Sequence, residues 1–161
     1  MEKWKLPPKE KIYEAFSVLA DNRFAIESNG KASVTSSSGN KQYSLEWIEE
    51  NGLLENVIKI TSNDNASYWQ GYLGYPIIAI LMVIEKVQFD RSILEHFKEI
   101  QWKALNTACK NNYSKVVEKI LANINDEQEV VKIKQEVDNI FNQISDLYIV
   151  RLSKKLKPPK D

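Results

Sequence analysis

Residues 62–76 carry the densest group of side chains that could bind a ligand in this 161-residue chain. The segment combines a carboxylate, amide side chains and several aromatic rings. Aromatic rings bury a large area at little entropic cost and amides give directional hydrogen bonds, so this mixture recurs at interfaces and stacking platforms. The binding candidates are therefore Asp64, Asn65, Tyr68, Trp69, Gln70, Tyr72 and Tyr75.

The same segment has two further interpretations. As a structural loop, its Asp64 or Asn65 caps a helix while the aromatic rings cover a sheet, which the capping preferences of these residues favour. As a small-ligand or enzyme site, Asp64, Asn65, Gln70 and the tyrosines line a concave pocket, and a carboxylate there has a shifted pKa. A flat loop in which Asp64 only caps a helix would exclude the second interpretation.

The layout of residues 34–81 resembles a SWIM-type zinc finger, in which two hairpin strands lead to a C-x-C pair, a variable loop and a C-x-H pair that opens a helix. Here Ser62 and Asp64 take the places of the first pair, and Gly74 and Pro76 those of the second. All four metal ligands are therefore absent. The resemblance implies a metal-free ββα binding module, of a family associated with protein–protein and DNA contacts.

The C-terminus carries a lysine-rich cluster with no acidic residue before Asp161. Such a cluster can contact phosphates or an anionic surface. A solvated helix end that complements the helix dipole is the alternative, and it is favoured. The phosphate-contact candidates are Arg151, Lys154, Lys155 and Lys157.

No residue pattern predicts catalysis, a metal site or a cofactor. His96 is the only histidine and stands beside the apolar Phe97, a position typical of a helix boundary residue. Cys109 is the only cysteine and has helical spacing from Leu105, as a small buried hydrophobe does. One histidine and one cysteine cannot build a zinc tetrahedron, and calcium loops, phosphate loops and nucleophile elbows are lacking.

Composition sets the class of protein. Basic and acidic residues number 22 each, so the formal net charge of zero removes any whole-molecule attraction to nucleic acid or membrane. The lone cysteine and the absence of a secretory signal indicate a cytoplasmic protein. Residues 66–84 carry no charge, but their solidly apolar part, 77–84, is too short to span a bilayer. No partner in a membrane is expected.

The first half of the chain reads as a helix followed by strands. Helical spacing of apolar residues predicts a helix over 8–20. Alternating residues around Asn29 and Gly30 then predict a hairpin, and Tyr43, Leu45 and Trp47 share one face of a third strand. Residues 49–55 read as a loop or a short helical turn, before a fourth strand over 57–60.

The second half is helical. Residues 76–86 are apolar on all sides, which indicates a helix in the centre of the core. Asp90 can cap a further helix, and a helical stretch over 102–124 is interrupted at Asn111 and Asn112. The last helix, residues 126–156, carries a heptad pattern that fits packing within the chain or a coiled-coil dimer, and packing within the chain is favoured.

The fold class predicted is α+β: an N-terminal helix with a three- or four-stranded antiparallel sheet, a central buried helix and a C-terminal helical bundle. One domain, residues 1–161, has a β-rich half (1–86), a helical half (87–157) and a frayed tail (158–161). The leading function is a non-enzymatic module that binds a protein partner or a second copy. Nucleic-acid binding through the lysines and aromatic loop is one alternative, and a small-ligand protein or enzyme using Asp64 to Gln70 is the other.

Overall fold

A computed structural model describes residues 2–152 and 156–160 of the chain. Over these residues the chain is an α+β protein in which helices pack on a five-stranded sheet. The strands are β1 (Phe24–Ser28), β2 (Lys31–Thr35), β3 (Gln42–Asn51), β4 (Asn56–Ser62) and β5 (Tyr148–Arg151). The helices are α1 (Glu10–Ala20), α2 (Tyr75–Val83), α3 (Trp102–Ala108), α4 (Tyr113–Ala122) and α5 (Glu127–Asp146), with a π-helical turn (Ala66–Gln70) and a 3-10 helix (Arg91–Phe97).

Strands β1 to β4 form the antiparallel meander that the alternating residues predict. Tyr43, Leu45 and Trp47 are buried on one face, as expected. Gly30 turns the first hairpin with φ of +89°, and a Cβ there would lie 2.7 Å from Trp47 O. Only glycine fits both the left-handed conformation and this close approach.

The sheet gains a fifth strand that the sequence analysis did not predict. The last helix, expected to run over 126–156, ends at Asp146, and β5 then pairs parallel to β4 with Tyr148 opposite Val57. Leu147 is already extended, with ψ of 146°, and three of the four β5 residues are aromatic or β-branched, types that favour strands. The expectation of a purely antiparallel sheet is therefore wrong at this edge.

Strand β3 is longer than predicted. Residues 49–51 continue the ladder with β4, as the pairing of Glu49 with Ile58 shows, so a loop or helical turn does not begin there. The β3–β4 hairpin tip places Leu53 and Leu54 in solvent, with exposed fractions of 106% and 100%. These two leucines are the most exposed large apolar side chains among the described residues.

The core is centred on α2, as its uniform apolarity predicts. Residues 77–82 of α2 are fully buried, because the helix contacts β3 and β4 on one side and α1 on another. Phe16 of α1 and Phe97 of the 3-10 helix continue the core, with ring centroids 5.1 Å apart. Each fully buried side chain of this size stabilises the fold by about 2 kcal/mol through removal of apolar surface from water.

The helical half follows the prediction with two changes. Asp90 caps the next segment by accepting from Ser92 N at 2.9 Å, but that segment is a 3-10 helix. The predicted break lies at Lys110 and Asn111, whose positive φ angles separate α3 from α4. The α5 heptad residues Ile133, Val137, Ile140 and Ile144 are buried within this one chain, as the packing interpretation expects.

Candidate functional site

A cavity of about 340 Å³ opens between α1, the turn joining β2 to β3, the start of the π-helical turn, and α3. Its size is that of a small-ligand pocket. Its wall mixes charged, hydroxyl, amide and aromatic groups. The lining residues are Lys11, Glu14, Arg23, Ser36, Ser37, Ser38, Lys41, Tyr43, Asp64, Asn65, Ala66, Tyr75, Trp102, Lys103, Asn106, Thr107 and Asn111.

Asp64 lies in the pocket wall and is the centre of a buried hydrogen-bond network. Its Oδ1 accepts from the hydroxyls of Ser62 and Ser67, and its Oδ2 accepts from Ser67 N at 3.0 Å. Ser67 Oγ in turn accepts from Gly74 N at 3.1 Å. The carboxylate therefore caps the π-helical turn and joins the end of β4 to the start of α2, as the capping interpretation expects.

Gly74 permits this network to close. Its φ is −70°, which any residue adopts, so its role is steric. A Cβ there would overlap Asp64 Oδ2 and lie 2.9 Å from Ser67 Oγ. The absence of a side chain at Gly74 lets the backbone approach the carboxylate.

Lys11 and Glu14 place a buried ion pair in the floor of the pocket. Lys11 Nζ lies 3.7 Å from Glu14 Oε1, which is an ion-pair distance longer than a hydrogen bond, and 4.3 Å from the centroid of the Tyr113 ring. Asn106 Nδ2 donates to the same Glu14 oxygen at 3.2 Å. The amide oxygen of Asn106 is buried and accepts from no group in the described part of the chain.

Burial is the largest single influence on the pKa of each partner, but it decides the direction of the shift only for Glu14. It raises the pKa of Glu14 above its usual 4.5, against the opposing effects of Lys11 and Asn106. Burial lowers the pKa of Lys11, but the Glu14 carboxylate, helped by two tyrosines and Asp64, outweighs it, so the net shift is upward. A cation is thus retained inside the pocket at neutral pH.

Arg23 forms another part of the wall, next to residues 36–38 between β2 and β3, here called the serine turn. Its Nη1 donates to Thr35 O at 2.5 Å, and its Nε lies 3.6 Å from Asp21 Oδ2. That Nε is buried without a hydrogen-bond partner among the described residues. Ser36 and Ser38 face each other at 3.3 Å between their hydroxyl oxygens. The pocket therefore holds several donors, of the kind that bind anions.

Aromatic residues complete the pocket. Tyr43 and Tyr75 pack edge to face, with ring centroids 6.3 Å apart, and burial raises the pKa of Tyr75 far above its usual value. Trp102 Nε1 donates to Ser17 Oγ at 2.8 Å, and Ser17 Oγ donates to Phe97 O at 2.7 Å. This relay fixes α3 against α1 and so fixes the width of the pocket.

A second depression, of about 510 Å³, adjoins the first and is here called the aromatic groove. Trp69 is 70% exposed there and packs edge to face on Tyr68, with ring centroids 4.6 Å apart. Lys41 and Asn65 line both depressions and therefore mark the boundary where the two adjoin. The groove is lined by Lys41, Asn65, Tyr68, Trp69, Lys157, Pro158, Pro159 and Lys160.

The structure divides the predicted binding candidates between these two depressions. Asp64, Asn65 and Tyr75 line the pocket, and Tyr68 and Trp69 lie in the aromatic groove. Gln70 and Tyr72 line neither depression. Gln70 is exposed at the end of the π-helical turn, and Tyr72 forms a bridge with Lys5.

The phosphate-contact candidates are separated. Lys157 lies in the aromatic groove, whereas the Arg151 guanidinium stacks on the Trp4 ring, 4.5 Å from its centroid. Lys154 and Lys155 lie outside the described residues. Trp4 also donates from Nε1 to Ile60 O at 2.9 Å, so Arg151 is held in the packing of the N-terminal segment on the sheet.

Most of the pocket wall was not among the predicted site residues, including Lys11, Glu14, Arg23, Trp102 and Asn106. One signal was present: Lys11 and Glu14 are three residues apart and therefore share a face of α1. Their neighbours are apolar, so the pair lies in a helix that is buried all round. The contributions of Arg23 and Asn106 come from distant elements and carry no local pattern.

The single histidine and the single cysteine lie outside the pocket, in packing environments. His96 is partly buried, with Nε2 3.2 Å from Glu129 Oε1, and Cys109 is buried, as expected. Within residues 2–152 and 156–160, no group of three or more histidine, cysteine or acidic side chains could hold a metal ion. In the same part of the chain, no helix is long and apolar enough to cross a membrane.

Comparison with known proteins gives a family and no activity. A search of curated proteins and a search of solved structures each found no match. A family model described as uncharacterised conserved protein UCP014422 matches residues 4–150. That range includes every pocket residue and Trp69 of the groove, but not the lysines and prolines of the tail. Because the match covers most of the chain, the protein belongs to the family of uncharacterised conserved protein UCP014422.

Proposed function

We propose that this protein binds a small anionic molecule in the pocket between α1, the serine turn and α3. The observation that carries the proposal is the charge of the wall, where Lys11, Arg23, Lys41 and Lys103 face a ligand space together. These four cations outnumber the two carboxylates of the wall, so the wall keeps a net positive charge even though Lys11 is paired with Glu14 and Arg23 lies near Asp21. Asp64 accepts three hydrogen bonds from its own network, and Glu14 is paired with Lys11.

The proposal develops the small-ligand alternative of the sequence analysis. That alternative placed Asp64, Asn65, Gln70 and the tyrosines in a concave pocket. The pocket contains Asp64, Asn65 and Tyr75 but not Gln70, and the carboxyl of raised pKa in its wall is Glu14, which the alternative did not include. Buried donors without partners favour an anionic ligand, because a ligand oxygen would satisfy them at little further desolvation cost. Arg23 Nε has no hydrogen-bond partner among the described residues, and the Asp21 carboxylate 3.6 Å away is its ion-pair partner. The proposal concerns binding alone.

Isothermal titration calorimetry with inorganic phosphate, sulfate and citrate tests the proposal. We expect at least one of these anions to bind, and Lys103→Gln to weaken that binding by about tenfold, since one charge-assisted contact is worth about 1.5 kcal/mol. Lys103 is exposed on the short helix α3, so its substitution leaves the fold intact. Lys134→Gln, on the exposed face of α5, is the matched control and should bind like the wild type. Absence of binding by all three anions, or equal loss in both variants, would contradict the proposal.

A second candidate function, self-association, rests on a different surface. Leu53 and Leu54 stand in solvent at the β3–β4 hairpin tip. Burying these two adjacent side chains against a second copy would remove their apolar surface from water. Light scattering over a range of concentrations tests this candidate. Association that is abolished by Leu53→Ser with Leu54→Ser supports it, and a monomer at all concentrations overturns it.

A further inference from the structure

We infer that the ligand of the pocket is a phosphorylated molecule with a planar ring, of the nucleotide class, which spans the pocket and the aromatic groove. The inference rests on the proposed function and adds the ligand class. Its charged group would lie between Arg23 and the serine turn, and its ring would lie on Trp69. The starting observation is that Lys41 and Asn65 belong to both depressions.

The geometry of the groove favours a planar ring. Trp69 is 70% exposed, whereas Trp4, Trp47 and Trp102 are buried. An exposed tryptophan keeps apolar surface in contact with water, and a ring stacked on it removes that surface from water. Base–aromatic stacking is a common use of such a side chain. Tyr68 packs edge to face against Trp69 and so holds the indole in place.

The charge of the groove favours an anionic ligand. Lys157 and Lys160 bring two ammonium groups to the groove beside Trp69, and Lys41 adds a third at the junction with the pocket. No acidic side chain lines the groove in the described part of the chain. Lysine next to an exposed aromatic ring fits a ligand that carries both a π-face and phosphate oxygens, because each part meets a matching group.

The two depressions differ in the side chains that line them. The pocket offers the Arg23 guanidinium and three serine residues in one turn, which suit the oxygens of a phosphate group. The groove offers an indole, two proline rings and the Asn65 amide, which suit a flat heterocycle with polar edges. A ligand with its phosphate in the pocket and its base in the groove therefore matches the side chains of both depressions.

Fluorescence and calorimetry with adenosine 5′-monophosphate, guanosine 5′-monophosphate, adenosine and inorganic phosphate test this inference on the full chain. We expect at least one nucleotide to bind about tenfold or more tightly than either adenosine or phosphate alone. Because Trp69 is the exposed tryptophan, the bound nucleotide should protect the protein fluorescence from acrylamide quenching. Trp69→Ala should weaken nucleotide binding about tenfold, leave phosphate binding unchanged, and be rescued by Trp69→Phe.

The outcomes separate this inference from the proposed function. Phosphate binding with no gain from the ring, and no effect of Trp69→Ala, overturns the nucleotide class and leaves an anion pocket. Absence of binding by phosphate and by both nucleotides, together with no binding of sulfate or citrate, overturns both. Binding of a ten-residue oligothymidylate through Trp69 without binding of either mononucleotide also overturns the inference, because it shows a surface for single-stranded nucleic acid.

Discussion

Lys11 Nζ and Glu14 Oε1 lie 3.7 Å apart, and their side chains are only 10% and 7% exposed. An ion pair at this depth loses the hydration free energy of both partners, and their mutual attraction offsets that loss only in part. The upward shift of the Glu14 pKa agrees with this, because it shows that the fold favours the neutral acid. We interpret the pair as a means of holding a cation in the pocket at some cost to stability.

The first prediction follows from the sign of that shift. A carboxyl whose pKa is raised above 4.5 on folding contributes stability below pH 4.5, and that contribution is lost as the pH rises through the folded pKa. We therefore expect Glu14→Gln to gain stability relative to the wild type as the pH rises from about 4.5. Urea denaturation of both proteins at a series of pH values measures the difference. Parallel stability profiles would show that Glu14 does not titrate abnormally.

The second prediction concerns the partner of Glu14. Lys11→Met keeps the apolar stem but leaves the buried carboxyl without its cation, which costs about 3 kcal/mol when the carboxyl is charged. We expect this loss at neutral pH and a smaller loss near pH 4, where Glu14 takes up a proton. Chemical denaturation at the two pH values measures it. An equal loss at both would mean that packing, and not charge, sets the effect.

The third prediction addresses the contact between Gly74 and Asp64. Gly74→Ala should destabilise the fold by about 1–3 kcal/mol, because the added methyl overlaps the carboxylate in a packed site. The φ of −70° at Gly74 is one that alanine also adopts, so the cost of this substitution is steric. If Gly74→Ala acts through Asp64, its cost should fall in an Asp64→Ala background. Thermal unfolding of the four proteins decides this.

The fourth prediction concerns the relay from Trp102 through Ser17 to Phe97 O. Trp102→Phe removes the indole donor and should cost about 1 kcal/mol, since the serine hydroxyl still has its acceptor. Ser17→Ala leaves a buried donor and a buried acceptor without partners and should cost about 2–3 kcal/mol. Guanidinium denaturation should therefore rank the serine variant as the less stable. The reverse ranking would show that indole volume dominates.

The fifth prediction concerns Trp4, which ties the N-terminal segment to β4 and β5. Its ring is buried, its Nε1 donates to Ile60 O, and the Arg151 guanidinium stacks on it. Trp4→Ala should cost about 3–5 kcal/mol. Arg151→Gln should cost less, because it retains part of the side-chain contact. Hydrogen exchange of β5 amides measures whether both substitutions loosen this edge of the sheet.

The sequence by itself determined the elements in which a local pattern repeats. Alternation around Gly30 and Leu45 defines the meander, and uniform apolarity over 77–82 defines the buried helix, because side-chain period and solvent exposure are linked within one element. The sequence also grouped Asp64, Asn65 and Tyr75, which line the pocket, and their role in binding stays a prediction. The SWIM-type resemblance stays a prediction, and so do the assignments to a protein partner and to the cytoplasm.

Only the tertiary structure decided the rest. Strand β5 was hidden because its pairing partner, β4, lies some 90 residues earlier in the chain and leaves no local signal. The pocket could not be predicted for the same reason. Arg23, Asp64 and Asn106 come from three distant segments, and they line one cavity only after α2 packs between the sheet and α1. Long-range proximity arises from the packing of whole elements, and no spacing within a single element records it.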